Sequence, residues 1–275
     1  MGTRRCLQVI ILILGFSLVG SVLASGAIVR QQWQDYDWPV PASSNAQPVS
    51  RAQTAVDWVA EGIPARPAFH YDYQPLRIRS GDPAHNGHLH RLSVGVEGAM
   101  NQWQLQGRLG LHGTSNIFKY REPHREVVVG KVVLWRQLEN APVQAIGIGG
   151  DHRFGHFRWL PRLLWEQSIA GHYLRLDLPR GLYWQGPRRR WQFRAERLGD
   201  KWGALDAERD FRSAIYLEEW QLVLSRRFPV FNRGWFLKLG LGMSLDTRVR
   251  YRETDRQEVR RNLGNAGFGL VQLRW

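Results

Sequence analysis

The chain has 275 residues, a formal net charge of +14, thirteen Trp and a single cysteine, Cys6. One cysteine excludes a disulfide framework and a cysteine-based metal site, and no stretch after residue 24 approaches eighteen consecutive apolar residues, which excludes transmembrane helices there. The positive charge alone would suit a nucleic-acid partner, but the N-terminus argues against that class.

Residues 1–24 read as a secretory signal. Arg4 and Arg5 form the basic n-region, Leu7 to Val22 the apolar region, and Val22-Leu23-Ala24 a cleavage site, with an uncleaved anchor as the alternative. Residues 25–66 are polar and carry Pro39, Pro41, Pro48 and Pro64, so a periplasmic extension, disordered or plugging, is expected there. Residues 67–275 change to short alternating segments between turn residues. In 102–113, Trp103, Leu105, Leu109 and Leu111 alternate with Gln104, Gln106, Arg108 and His112. In 235–246, Trp235, Leu237, Leu239, Leu241 and Met243 alternate with Phe236, Lys238, Gly240, Gly242 and Ser244. Segments of about ten residues with this dyad period are the pattern of a membrane barrel. Alternation also fits a soluble sandwich, but the segments exceed the usual five or six residues, and Trp103, Trp191, Trp235 and Trp275 end apolar faces as an interfacial girdle would.

The expected fold is therefore all-β: a transmembrane antiparallel up-and-down β-barrel. Eleven segments can be counted, single-chain bacterial barrels have an even number, and ten to twelve strands are expected. With a periplasmic C-terminus, 248–263 and 199–212 become external loops and 227–234 a periplasmic turn. The 114–124 connection then falls on the periplasmic side although it is long, which points to a miscounted segment before residue 170.

The last strand, Gly267-Phe-Gly-Leu-Val-Gln-Leu-Arg-Trp275, together with the signal and the dyad segments, resembles the Gram-negative outer-membrane β-barrel class. Residues 176–251 also resemble, in pattern, an uncharacterised family of putative barrel porins that brings no known activity. The class resemblance implies that Gly267, Gly269, Val271, Leu273 and Trp275 form the segment read by the barrel assembly machinery, and it implies residence in the outer membrane of a Gram-negative bacterium beside lipid and lipopolysaccharide.

Arg91, Arg108, Arg158, Arg162, Arg175, Arg194, Lys238 and Arg274 fall on the polar, inward face, with acids such as Asp177, Glu196 and Glu219 among them. They suit either a cationic lumen that concentrates anionic solutes or an ion-paired filling of a narrow barrel. Arg248, Arg250, Arg252, Arg256, Arg260 and Arg261 cluster near the last external loop and are candidates for contact with lipopolysaccharide phosphates. His112 lies near Ser115, and His88 and His90 near Ser93 and Glu97, but His112 and Ser115 have opposite parity if the strand continues that far, and neither serine has a recognisable nucleophile context. The leading expectation is thus a porin-like channel passing small anionic solutes passively, not an enzyme. The rivals are a non-conducting structural or adhesion barrel and, behind it, a lipid-modifying enzyme. No metal, cofactor or nucleic-acid partner is expected, and the sequence leaves substrate and oligomeric state open.

Overall fold

The computed structural model describes residues 28–35, 50–59, 65–77, 87–120, 125–139, 144–154, 156–206, 211–230, 235–252 and 258–274. Residues 1–24, expected from the sequence to be a secretory signal, and Trp275 lie outside them. The strands are β1 (Ile28–Asp35), β2 (Ser50–Val59), β3 (Ala65–Arg77), β4 (Gly87–Met100), β5 (Trp103–Thr114), β6 (Val128–Gln137), β7 (Ala145–Phe154), β8 (His156–Ile169), β9 (His172–Leu178), β10 (Gly181–Gln185), β11 (Trp191–Asp206), β12 (Phe211–Val230), β13 (Trp235–Arg252) and β14 (Glu258–Arg274), with one short helix, α1 (Ser115–Tyr120), after β5. Each strand pairs antiparallel with its sequence neighbour and β1 pairs with β14, so the sheet is a closed transmembrane barrel. Closure removes the apolar edge that the C-terminal strand would otherwise present. Ile28 pairs with Arg274, which fixes one rim as the terminal end and the opposite rim as the distal end.

Fourteen strands among the described residues replace the expected ten to twelve, for two reasons. First, β1 and β2 lie within 25–66, the segment expected to be a periplasmic extension. Arg51, Ala55 and Gln32 are buried there, and small or polar residues on both faces of Arg51-Ala-Gln-Thr-Ala-Val-Asp57 erase the dyad signal. Second, β10 is only five residues long. The omission that misplaced the 114–124 connection is therefore β10, which lies after residue 170, whereas β1 and β2 precede it. Counting β10 moves the 115–127 connection to the same end as the 253–257 loop, where a long connection is expected.

The outward face of the wall is apolar. Leu92, Val94, Val96, Leu105, Leu109, Leu111, Ile146, Ile148, Leu224, Leu239, Leu241 and Met243 are all exposed, as lipid-facing positions should be. On β12 the belt runs from Trp220 to Phe228, about 26 Å along the strand at about 3.3 Å per residue. At the terminal rim, Arg136 stacks on Trp103 and Arg226 on Trp191, at 5.9 and 5.4 Å, pairing an aromatic ring with a cation at the level where both are half solvated. The glycines of β7 fit a close approach: a Cβ on Gly147 would collide with the Leu134 carbonyl.

The short β9–β10 hairpin changes the distal half. β8 has a β9 partner only from Leu163 onward, and β11 has a β10 partner only over Gln192–Glu196. Beyond that point β11 leaves the wall, and Gly203 pairs in parallel with Gly113 of β5. The terminal half is a fourteen-stranded ring, whereas the distal half is closed by nine strands, β11 to β14 and β1 to β5. β11 is consequently covered on both sides. Trp202 and Ala204 face a core with Leu89, Ile215, Leu217, Val249 and Tyr251, and Leu205 packs on Ile117 and Val127. Amides of Asp200–Leu205 should exchange with solvent as slowly as those of their β12 partners Arg212–Leu217, read by hydrogen–deuterium exchange. Fast exchange confined to β11 would mean that this half-strand is not docked.

Candidate functional site: the barrel lumen

The inward face carries polar side chains in layers. Deepest in the distal half is the apolar plug of Leu89, Trp202, Ile215, Leu217, Val249 and Tyr251, all almost fully buried. Beneath it, Arg91 forms ion pairs with Asp200 and, at 3.7 Å, with Asp72, and its guanidinium lies 5.5 Å from the Trp202 ring. His112 Nδ1 lies 2.9 Å from Asp200 Oδ1, and His70 Nδ1 lies 2.6 Å from Asp57 Oδ1. Gln53 and Gln74 donate to Asp72 at 2.6 and 2.9 Å. In the next layer Arg51 donates to Glu219 and Gln74, both at 2.8 Å, and Gln221 donates to Glu219 at 2.7 Å. A carboxylate withdrawn from water needs this many donors to offset its desolvation.

All eight inward cations expected from the sequence lie on strands whose alternation turns them toward the lumen, but they differ in what they meet. Arg91 and Arg162 are held by carboxylates, Arg162 by Asp177, with the Arg162 guanidinium also 5.2 Å from the Trp135 ring. Arg175 reaches Glu166 at 3.2 Å and Asp177 at 3.9 Å. Arg194 reaches Glu196 at 3.0 Å, and Lys238 donates to Gln192 at 3.3 Å. Among the described residues Arg108, Arg158 and Arg274 carry no ion pair, and Arg108 stands directly opposite Lys131 in the β5–β6 ladder.

Several partners had no signal in the sequence. Asp200 lies on β11 beyond its clean alternation, and Arg51 and Asp57 lie on β2. Lys201 meets Glu126 at 2.6 Å on the outer side of the crossing strand, a pairing that only the crossing explains.

The remaining candidates separate cleanly. On β14, buried Ala266, Phe268, Leu270 and Gln272 alternate with half-exposed Gly267, Gly269, Val271 and Leu273. Arg248, Arg250 and Arg260 lie on β13 and β14 beyond the apolar belt, next to Asp246 and Glu258, and line a cavity of about 360 Å³ with Tyr216, Glu218 and Asn262. Arg261 stacks at 5.9 Å on the buried Tyr251 ring. Arg256 and the side chain of Arg252 lie outside the described residues. His112 meets Asp200 inside the barrel while Ser115, the first residue of α1, meets His90, so the two are not paired. Ser93 is buried on the inner face and Glu97 pairs with Arg66 at 3.8 Å, so neither joins His88 or His90.

No protein-family model and no curated protein matches the chain. Among solved structures, the crystal structure of Pseudomonas aeruginosa OccK2 (OpdF) in complex with glucuronate aligns at 7% identity over 91% of this chain and 96% of that one, with a TM-score of 0.30. A substituted variant of the Rh. blastica porin aligns at 10% identity over 91% of this chain and 99% of its own, with a TM-score of 0.28. These are similarities to porin barrels too loose to bear on the lumen, and the fold rests on the chain's own strand pairing.

Arg51 and Glu219 are buried together, with side-chain exposures of 6% and 0%. Arg51→Ala should therefore strand a buried carboxylate and cost about 3–5 kcal/mol, whereas Arg51→Met with Glu219→Gln should cost far less. Urea unfolding in detergent micelles, followed by Trp fluorescence, distinguishes the two.

Proposed function

We propose that the protein is a Gram-negative outer-membrane β-barrel whose lumen is closed to free diffusion, a membrane-embedded platform and not an open pore. The observation that carries this reading is the crossing of β11, which narrows the distal half to nine strands and seats an apolar plug inside it. Side chains can fill an interior of that size. The inward cations then act mainly as ion-paired filling. The C-terminal strand serves as the assembly segment, and the outward Arg248, Arg250 and Arg260 face the level of lipid phosphates.

A second reading, porin-like passage of small anionic solutes, is favoured by one observation: Arg108, Arg158 and Arg274, without an ion pair among the described residues, bring positive charge to the inner face. Passage would require β11 to leave β5. Planar-bilayer recording of the refolded protein decides between them. The closed reading predicts no stable steps for the native chain and flickering current once Trp202→Ala and Tyr251→Ala together empty the plug. Stable anion-selective steps from the native chain would replace it with the porin reading, and Gln at Arg108, Arg158 and Arg274 should then abolish the anion preference.

A further inference from the structure

The outer side of the β3–β5 rim holds a cluster that neither the lumen nor the barrel wall requires. On β4, Leu92, Val94 and Val96 face outward, so His88 and His90 share that face. On β3, outward Phe69 continues into Tyr71 and Tyr73. Ser115, the first residue of α1, closes the cluster. Its Oγ lies 2.9 Å from His90 Nε2, and the other ring nitrogen of His90, Nδ1, lies 3.0 Å from the Tyr71 hydroxyl. Ser115 Oγ also lies 3.4 Å from the His88 carbonyl oxygen, a longer contact. The Phe118 ring meets His90 edge-on at 5.7 Å, and Tyr73 and His88 stack alongside at 5.5 Å.

A hydroxyl within hydrogen-bond reach of an imidazole whose second nitrogen is fixed by a third group is the arrangement that activates a serine nucleophile. We infer that Ser115 and His90 form a catalytic pair that hydrolyses carboxylic esters of membrane lipids. The substrate class follows from position. The pair faces outward at the distal rim, directly above the lipid-facing Leu92, Val94, Leu109 and Leu111, with exposed Phe118 and Tyr120 beside it. An acyl chain lying along that belt would bring its ester to the height of Ser115, and aromatic side chains favour this interfacial level.

In the first step Ser115 Oγ attacks the ester carbonyl carbon and its proton passes to His90 Nε2. The C–O bond to the alcohol then breaks, and His90 returns the proton to the leaving oxygen, releasing the alcohol and leaving an acyl-serine. Water attacks that acyl group, giving its proton to His90. The acyl–serine bond breaks, the proton goes back to Ser115 Oγ, and the fatty acid departs. Tyr71 is a positioning residue: with the Nδ1 proton directed at its oxygen, it holds the tautomer that leaves Nε2 free to accept.

The test uses the full-length protein in detergent micelles, an alkyl fluorophosphonate as the probe of serine reactivity and a long-chain 4-nitrophenyl ester as substrate. Peptide mapping of the native chain should place the phosphonyl group on Ser115. Labelling should vanish in Ser115→Ala and slow by about 100-fold or more in His90→Gln, the scale of a lost general base. Tyr71→Phe should lower kcat for the ester with KM little changed and alter the pH–rate profile, an effect that lost packing alone would not produce. Heat-modifiable mobility on gels confirms that each variant is folded. Absence of labelling, labelling at another serine, or ester turnover unchanged in folded Ser115→Ala would overturn the assignment. Because the native chain is mapped directly, the result does not depend on any variant folding.

Discussion

The structure depends on how one unpaired strand edge is satisfied. Within a membrane barrel every backbone N–H and C=O needs a partner, since lipid offers none. The β9–β10 hairpin stops early, leaving the distal parts of β8 and β11 without neighbours on that side. β11 resolves its share by turning inward to reach β5, where β6 has ended. Two glycines meet at the contact, Gly203 and Gly113. A Cβ on Gly203 would come within 2.8 Å of Val127 Cγ2, and one on Gly113 within 3.2 Å of Ile117 Cδ1, so larger residues would displace Val127 and Ile117, which pack over the contact. The filled lumen, the packing of α1 and the buried Arg91–Asp200 pair all follow from that approach.

A second constraint is an inversion of polarity along the long strands. Below Trp220 the outward face is apolar, with Leu224, Leu239, Leu241 and Met243, while Gln221, Ser225 and Ser244 face inward beside a small buried cluster of Val223, Phe268 and Leu270. Above it the order is that of a soluble protein, with Ile215, Leu217 and Val249 inside and Glu218, Arg248 and Arg250 outside. The switch coincides with register shifts between Glu218 and Trp220 in the β12–β13 pairing and between Ser244 and Thr247 in the β13–β14 pairing. Asp246 adopts φ of 50° there. A bulge shifts the side-chain alternation of one strand by one position, which lets β13 present leucines to lipid below and arginines to water above. The same boundary carries Glu219, whose contacts with Arg51, Gln221 and Thr247 tie β2, β12 and β13 together at the rim of the belt.

How much of this could be read from the sequence depended on the contrast between faces. Strands such as 102–113 and 235–246 were legible because leucines alternate with polar residues, and the all-β barrel class followed from them. β2 was not, since Arg51, Gln53, Ala55 and Asp57 oppose Ala52, Thr54 and Val56 with little contrast. β10 was too short to show a period, and its omission reversed the side given to the 115–127 connection. The inward arginines could be named from parity alone, but which of them are neutralised could not, because Asp200 reaches Arg91 only after β11 crosses the lumen. The pairing of Ser115 with His90, and not with His112, likewise depends on α1 turning back over the outer rim of β4.

The contact that reports the crossing most directly is Lys201 with Glu126, 2.6 Å apart on segments that an uncrossed fourteen-stranded wall would hold apart. A zero-length carbodiimide cross-link on the native protein in detergent, mapped by mass spectrometry, reads it without any substitution. With β11 docked on β5, an amide bond between the Lys201 side-chain nitrogen and the Glu126 carboxyl carbon should be a major product. If Lys201 stays unlinked to Glu126 while amine reagents modify it freely, β11 remains in the wall, the distal half stays wide, and the closed lumen is wrong.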